Sequence, residues 1–543
     1  MQGVIKSKIF IPEEDANMDM IEKYYQVHEF NNSVCSKCPY RKDKPNEYCE
    51  ACDSYLGVIK LWNKVTIKDH NYITLPQGNE KRASKVTGID FTTYKDLRCT
   101  KPFDYPLKWQ GKLRQGEIVN GVPSPNQQEI ADKWLNDKRY GFICAPPRTG
   151  KSVLSVYIAC TLGLKTLIIA HQNELLENFM KSFVRDTNLL QLREETGRDI
   201  IKIIKNTDKD FTDDLDVALI TYQKFIKEAT KDRKIKDYLK GKYGLVIIDE
   251  AHQTGANAYA QFLSQLDCRY KLGMSATPMR KDALNEVMLN LIGPVTVKSE
   301  ATGLIPRIEL LETGCKIRSH NMWVYTLKEM QRNKERNKLI LRELVRDLKE
   351  HKCILLPVST KEHMEMLVKS INEQFGEEIA IGYHAGIKNR KTILQEIDDG
   401  KYKVIVAIYS MIKQGIDLKL PSMIYLQFPM SASSGVGSPM FYQLGNRVAT
   451  PYQGKREPII KIFIDDNPES TGCFMSLMTK EIKQGLQAPE GGRPKYKMGK
   501  KTFEFAWEIV KKIQKKVYFQ NGPYNPEYDV EKKVKNFGSE FGW

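Results

Sequence analysis

Ala145-Pro146-Pro147-Arg148-Thr149-Gly150-Lys151-Ser152 is the stretch around which the chain can be read. It follows a short apolar run, Tyr140 to Cys144, and precedes the helix-compatible run Val153 to Leu162. A phosphate-binding loop requires that context. The strand end delivers the chain, the loop amides point at the anion, and the helix N-terminus adds its partial positive charge. Arg148, Thr149, Gly150, Lys151 and Ser152 would then line a nucleotide site. Lys151 would meet the β- and γ-phosphates as a point charge, and the Ser152 hydroxyl would ligate Mg²⁺. The first glycine of the usual pattern is replaced by Ala145.

At 543 residues the chain is too long for one core, so three or four domains are expected. The 41% apolar and 28% charged residues suit folded, soluble domains. No apolar run approaches the ~20 residues needed to cross a bilayer, and the opening Met1-Gln2-Gly3-Val4-Ile5-Lys6 lacks the layout of a secretion signal. A soluble cytoplasmic protein without a membrane partner is expected. Lysine plus arginine number 84 against 67 acids, a net +17. Either a polyanionic partner, most simply nucleic acid, or a generally basic solvated surface accounts for that excess. Seven cysteines are scattered singly, as buried thiols in a reducing compartment would be.

The other four cluster in the N-terminal region, residues 1–121. Cys35-Ser36-Lys37-Cys38 and Cys49-Glu50-Ala51-Cys52 form two CxxC pairs separated by ten residues. Each pair can place two thiolates on one tight turn, and two turns close a tetrahedral structural Zn²⁺ site. Disulfides conflict with the expected compartment. Around this knuckle Val4 to Ile11, Val58 to Ile67 and Tyr72 to Leu75 alternate as strands do. Lys60, Lys64 and Lys68 are interleaved with Trp62 and His70, so the β-rich module either rides on DNA or presents a solvated sheet face.

Residues 122–306 continue the pattern opened by the phosphate loop. Pro125-Asn126-Gln127-Gln128-Glu129 opens an amphipathic helix, and a glutamine such as Gln127 can pair with both edges of adenine. Lys165 to Ala170 is a buried-strand pattern ending in His171-Gln172, and Asp216 to Ile220 is another, ending in Thr221-Tyr222-Gln223. Leu245-Val246-Ile247-Ile248 runs into Asp249-Glu250-Ala251-His252. This reads as a central parallel strand delivering carboxylates to its C-terminal end. Asp249 would hold Mg²⁺, Glu250 would act as general base, and His252 would sense the γ-phosphate. The strand Tyr270 to Met274 then leads into Ser275-Ala276-Thr277-Pro278, small residues suited to couple the acid loop to a neighbouring domain.

Gln127, the AxxxxGKS loop, Asp-Glu-Ala-His and Ser-Ala-Thr, in that order, resemble the first RecA-like domain of superfamily 2 helicases. In residues 307–487 strands and helices alternate again, arguing for a second doubly wound sheet. Lys328 to Leu348 reads as one charge-rich linker helix. Cys353 to Val358, Ile379 to Tyr383 and Lys403 to Ile408 read as strands, and Lys361 to Phe375 as a helix. The resemblance, spanning Pro125 to Asp465, implies that Gly415 and Asp417 touch the ribose and the inter-domain cleft, with Gln443 beside the nucleotide. It implies that Ser410 contacts the nucleic-acid backbone, alongside His171, Gln172, Thr221, Tyr222, Gln223 and His384. Arg447 fits an arginine finger on the γ-phosphoryl group, whereas Thr450 stands where a second arginine is usual. Either Arg447 works alone or another arginine such as Arg456 substitutes. The wording is closest to the phage and bacterial branch acting on forked and branched DNA, UvsW-like and RecG-like.

The tail, residues 488–543, carries twelve basic residues against seven acids, interleaved with Phe503, Phe505, Trp507, Tyr518 and Phe519. It either grips a phosphate backbone or, as its helical periodicity favours, packs back on the motor. The expected protein is thus an α/β enzyme with two tandem RecA-like parallel-sheet domains, a β-rich zinc-containing N-terminal domain and a basic helical extension. It would be a monomeric, ATP- and Mg²⁺-dependent DNA helicase or translocase for forked, branched or single-stranded DNA, moving 3′-to-5′, in a bacterial cell and encoded by the cell or by a phage. A motor subunit of a restriction or nuclease complex, an ATP-switched clamp and an RNA helicase are the alternatives.

Overall fold

The computed structural model describes residues 2–30, 55–119, 122–136, 140–146, 149–205, 215–231, 241–251, 263–276, 284–299, 303–320, 322–387, 389–413, 418–430, 439–451, 454–488 and 493–521. Cys35, Cys38, Cys49 and Cys52 lie outside these residues. The chain divides into two compact units, residues 1–117 with 124–300, and residues 118–123 with 301–543.

The first unit is built on a seven-stranded, wholly parallel sheet. Its order is Ile201–Ile203, Val217–Thr221, Thr166–Ala170, Leu245–Asp249, Tyr270–Ser275, Gly141–Cys144, Val295–Lys298. Runs such as Thr166–Ala170 are buried at every position, as a sheet covered on both faces demands. Ile168 and Ala170 join one core with Leu154, Ile158 and Phe179. Leu167 and Ile169 join the other with Val246, Met288 and Ile292. Each of the larger side chains here, Leu, Ile, Val, Phe or Met, contributes roughly 1.5–3 kcal/mol by burial.

The N-terminal strands form a five-stranded sheet in the order Asn63–Ile67, His70–Pro76, Lys8–Pro12, Val4–Ile5, Lys95–Asp96. Alternation buries Ile9, Ile11, Ile73 and Leu75 on one face. This region does not separate from the seven-stranded sheet. The Cys99 amide donates to the Asp267 carbonyl at 2.6 Å, and Gln77 Nε2 donates to the Leu266 carbonyl at 3.0 Å.

The second unit carries a six-stranded parallel sheet in the order Arg307–Lys316, Ile459–Asp466, Met423–Leu426, Ile354–Val358, Val404–Ile408, Ala380–Tyr383. The tail helix Lys500–Asn521 buries Phe503, Ala506, Trp507 and Val510 in the same core as Ile308, Ile460 and Phe474, so its described apolar side packs back on this unit. Among the described residues no helix is long and apolar enough to cross a membrane.

The single linker helix expected over Lys328 to Leu348 is two helices, Trp323–Arg332 and Lys334–Asp347. Asn333 breaks the run. Its backbone is extended (φ −69°, ψ 111°), and its Oδ1 accepts from the Arg336 amide at 3.0 Å, an N-cap that competes with helix continuation. The second helix also reverses the expected surface charge. Arg336 is fully buried, its Nε lying 2.9 and 3.1 Å from the two Asp465 oxygens.

Candidate active site

Strand register decides which loops meet. The Gly141–Cys144 strand pairs with Tyr270–Ser275, setting Cys144 opposite Ser275, and the Ala145 amide donates to the Ser275 carbonyl at 3.0 Å. On its other side Tyr270–Ser275 pairs with Leu245–Asp249, setting Asp249 opposite Met274. The strand leading to Ser275 and Ala276 therefore stands between the phosphate loop and the acid pair, and all three reach the same C-terminal edge. That edge is where parallel α/β sheets bind ligands.

Within the loop, Gly150 caps the helix Lys151–Leu162 with φ +80° and ψ 44°. A Cβ there would lie 2.2 Å from Gln127 Nε2, so conformation and space both call for glycine. Thr149 is fully buried, its hydroxyl donating to the Pro146 carbonyl at 2.9 Å. An α-helix leaves its first amides without partners inside the helix, so the start bearing Lys151 and Ser152 is a local source of anion affinity.

Lys151 Nζ lies 2.8 Å from Glu250 Oε1 and 3.9 Å from Asp249 Oδ1. A lysine and an adjacent acid pair 99 residues further along the chain thus converge as a cation beside two carboxylates, partly shielded from water. Glu250 holds φ +48°, a left-handed conformation that is strained for a non-glycine residue and typical of functional turns. The chain can therefore offer a phosphate-seeking ammonium, a carboxylate for a divalent cation and a second carboxylate for proton abstraction. Ser152, Asp249 and the loop amides are hard oxygen and N–H donors that fit Mg²⁺ and phosphate.

Gln127 is tied into the loop by the protein itself. It is 3% exposed, its Oε1 accepts from the Arg114 amide at 3.0 Å, and its Nε2 donates to the Thr149 carbonyl at 2.8 Å. Both ends of its amide are engaged by protein, which fastens the phosphate loop to the Arg114 backbone. Arg114 takes part through its backbone, and no side-chain pattern in the sequence marks it.

The same edge continues past the acid strand. Ala170 pairs with Thr221 across the next two strands, so His171 and Gln172 emerge beside Thr221, Tyr222 and Gln223. Nucleotide-type and nucleic-acid-type candidates thus follow one another along one edge, as the sequence implies.

In the second unit His384 follows the Ala380–Tyr383 strand, its Nδ1 accepting from the Gly386 amide at 3.1 Å. Ser410 falls in the short helix Tyr409–Lys413, directly after the Val404–Ile408 strand. Gln443 and Arg447 are one helical turn apart on Pro439–Arg447, opposite the buried Phe441, Leu444 and Val448. Gln443 Oε1 is buried without a hydrogen-bond partner among the described residues. Thr450 Oγ1 donates to the Leu418 carbonyl at 3.4 Å, a structural use of the position expected to carry a second arginine. Arg148, His252, Thr277, Gly415 and Asp417 lie outside the described residues.

A phosphate loop and an acid pair stand on one edge of a parallel sheet, and a second parallel sheet follows in the chain, an arrangement suited to binding a nucleoside triphosphate. Residues 120–280 match the family model described as "Type III restriction enzyme, res subunit". A protein of Acanthamoeba polyphaga mimivirus, named provisionally as an ATP-dependent RNA helicase, is 25% identical over 42% of this chain and 39% of its own. A protein of a Sulfolobus islandicus filamentous virus, named provisionally as a helicase, is 27% identical over 49% of this chain and 44% of its own. The DNA 3′-5′ translocase XPB2 of Sulfurisphaera tokodaii is 22% identical over 60% of this chain and 80% of its own. The chain thus spans less than half the length of the first two relatives.

Proposed function

We propose that this chain is an ATP-dependent DNA helicase or translocase, acting as a cytoplasmic monomer on forked, branched or single-stranded DNA and moving 3′-to-5′. The observation that carries this reading is the convergence of Lys151, Asp249 and Glu250 on the sheet edge that also bears His171, Gln172 and Thr221. The similarity to a protein named as a DNA 3′-5′ translocase supports DNA as substrate and the direction.

Ser152 and Asp249 would hold Mg²⁺, which neutralises phosphate charge when bound. Lys151 exchanges its Glu250 partner for a phosphate, which frees Glu250. The Glu250 carboxylate then orients a water and takes its proton as that water attacks the γ-phosphate. Ser275 and Ala276 sit beside both loops and carry the change in the acid pair toward the rest of the chain. The family resemblance assigns Arg447 the role of countering charge on the transferred phosphoryl group. Strand displacement on forked DNA, a four-way junction, blunt duplex and RNA duplex tests the reading. Activity on RNA alone would replace it.

The same proposal includes a structural Zn²⁺ held by Cys35, Cys38, Cys49 and Cys52. The strands Gln26–Phe30 and Tyr55–Lys60 pair antiparallel, with Phe30 opposite Tyr55, so the ends of the segment bearing all four cysteines are held side by side. Near one zinc per chain is expected in protein purified without chelator. Less than about half an equivalent contradicts it.

A further inference from the structure

A cavity of about 300 Å³ lies at the opposite end of the seven-stranded sheet from the phosphate loop. Its walls come from the starts of adjacent strands, Tyr140 before Gly141 and Arg269-Tyr270-Lys271, and from Ile292. The N-terminal region closes it with Gln77, Gly78, Glu80, Lys81 and Arg98. Tyr270 begins the strand that ends at Ser275 beside the phosphate loop, so the two sites are separated by a strand's length, roughly 17 Å at 3.3 Å per residue.

The cavity is lined by four cations, Lys81, Arg98, Arg269 and Lys271, against one acid, Glu80. Two carboxylates partly offset them. Glu80 pairs with Arg98, and Asp96 is shared by Arg98, at 2.6 Å, and Arg269. Lys271 is the unmatched member. It is 4% exposed, and among the described residues its ammonium makes one hydrogen bond, to the Leu263 carbonyl at 3.3 Å, and no ion pair. Asp267 acts on it only at longer range, its carboxylate being taken by the Gly241 amide at 2.6 Å. Burial pulls the Lys271 ammonium below the usual lysine value. A buried cation without a counter-ion is unfavourable for folding, and an anion in the cavity would offset that cost. Tyr140 and Tyr270 supply aromatic walls to the same cavity.

We propose that this cavity is a second ligand site, separate from the nucleotide loop, which binds a small phosphate-bearing molecule no larger than a mononucleotide through Lys271 and Arg269. The size follows from the volume, which sits at the lower end of small-molecule pockets. The depth of Lys271 favours a small anion over a nucleic-acid backbone, which tracks open grooves.

The test is calorimetric titration of the full chain with inorganic pyrophosphate at fixed ionic strength, in a Lys151→Ala background that removes the loop lysine. Binding should persist there and weaken at least tenfold on adding Lys271→Met or Arg269→Gln. Near-UV circular dichroism checks folding. If Lys271→Met does not fold, the half-exposed Arg269 decides the result through Arg269→Gln. Absence of binding in Lys151→Ala, or unchanged binding in the folded double variants, overturns the proposal. So does a loss confined to a parallel titration with a short single-stranded oligonucleotide.

Discussion

Lys151 and Glu250 form an ion pair, Nζ to Oε1 at 2.8 Å, so the carboxylate competes with incoming phosphates for the loop lysine. Neutralising the competitor releases the lysine. Glu250→Gln is therefore expected to bind ATP as tightly as the unmodified chain or several-fold tighter, measured by equilibrium titration, while turnover is lost. Markedly weaker binding would show that Glu250 supports nucleotide affinity instead.

The Gln127 amide bridges Arg114 and Thr149, its bond to Thr149 buried and its bond to Arg114 partly so. Removing it leaves the Thr149 carbonyl and the Arg114 amide without those partners, a loss of about 1–3 kcal/mol. Gln127→Ala should raise the KM for every nucleoside triphosphate by about tenfold and lower the melting temperature. An increase confined to ATP would return Gln127 to adenine recognition.

Arg336 is buried against Asp465, which also accepts from Thr313 Oγ1 at 2.7 Å, and its guanidinium lies 5.4 Å from the Phe428 ring. Breaking such a pair from one side strands a charge. Arg336→Met should destabilise by about 3–5 kcal/mol in urea titration. Arg336→Met with Asp465→Leu should recover at least half of that, because the stranded carboxylate is gone.

His363 stands in the first turn of Lys361–Phe375, edge-on to Phe428 at 5.4 Å, with neither ring nitrogen hydrogen-bonded among the described residues. Burial, with a smaller effect from Arg336, lowers its pKa from 6.5 to about 4. The folded state keeps the ring neutral while the unfolded chain takes up a proton below 6.5. The stability present above pH 6.5 is thus lost as pH falls towards 4, by up to roughly 3 kcal/mol. His363→Phe should flatten the slope of the urea midpoint between pH 6.5 and 4, and an unchanged slope would contradict the assignment.

The strands of the seven-stranded sheet were legible because a parallel sheet covered on both faces writes itself as continuous apolar runs, as in Thr166–Ala170 and Leu245–Asp249. The acid pair and the loop lysine were legible because each directly follows or begins such an element. Asn333 was not, since an asparagine inside a charge-rich helical pattern shows its cap only when its backbone turns. Arg336 was hidden for a related reason. Periodicity marks an arginine as solvated, and its partner Asp465 lies far along the chain at the end of the Ile459–Asp466 strand. The fastening of Gln127 to the Arg114 backbone leaves no trace in side-chain identities.

ATP hydrolysis with and without forked DNA, in the unmodified chain and in Lys151→Ala, Glu250→Gln and Arg447→Ala, tests the central claim most directly. DNA should stimulate hydrolysis by the unmodified chain. Lys151→Ala and Glu250→Gln should abolish it while retaining DNA binding, and Arg447→Ala should lower kcat about 10³-fold with little change in KM. Unchanged turnover in Lys151→Ala or Glu250→Gln would contradict the account.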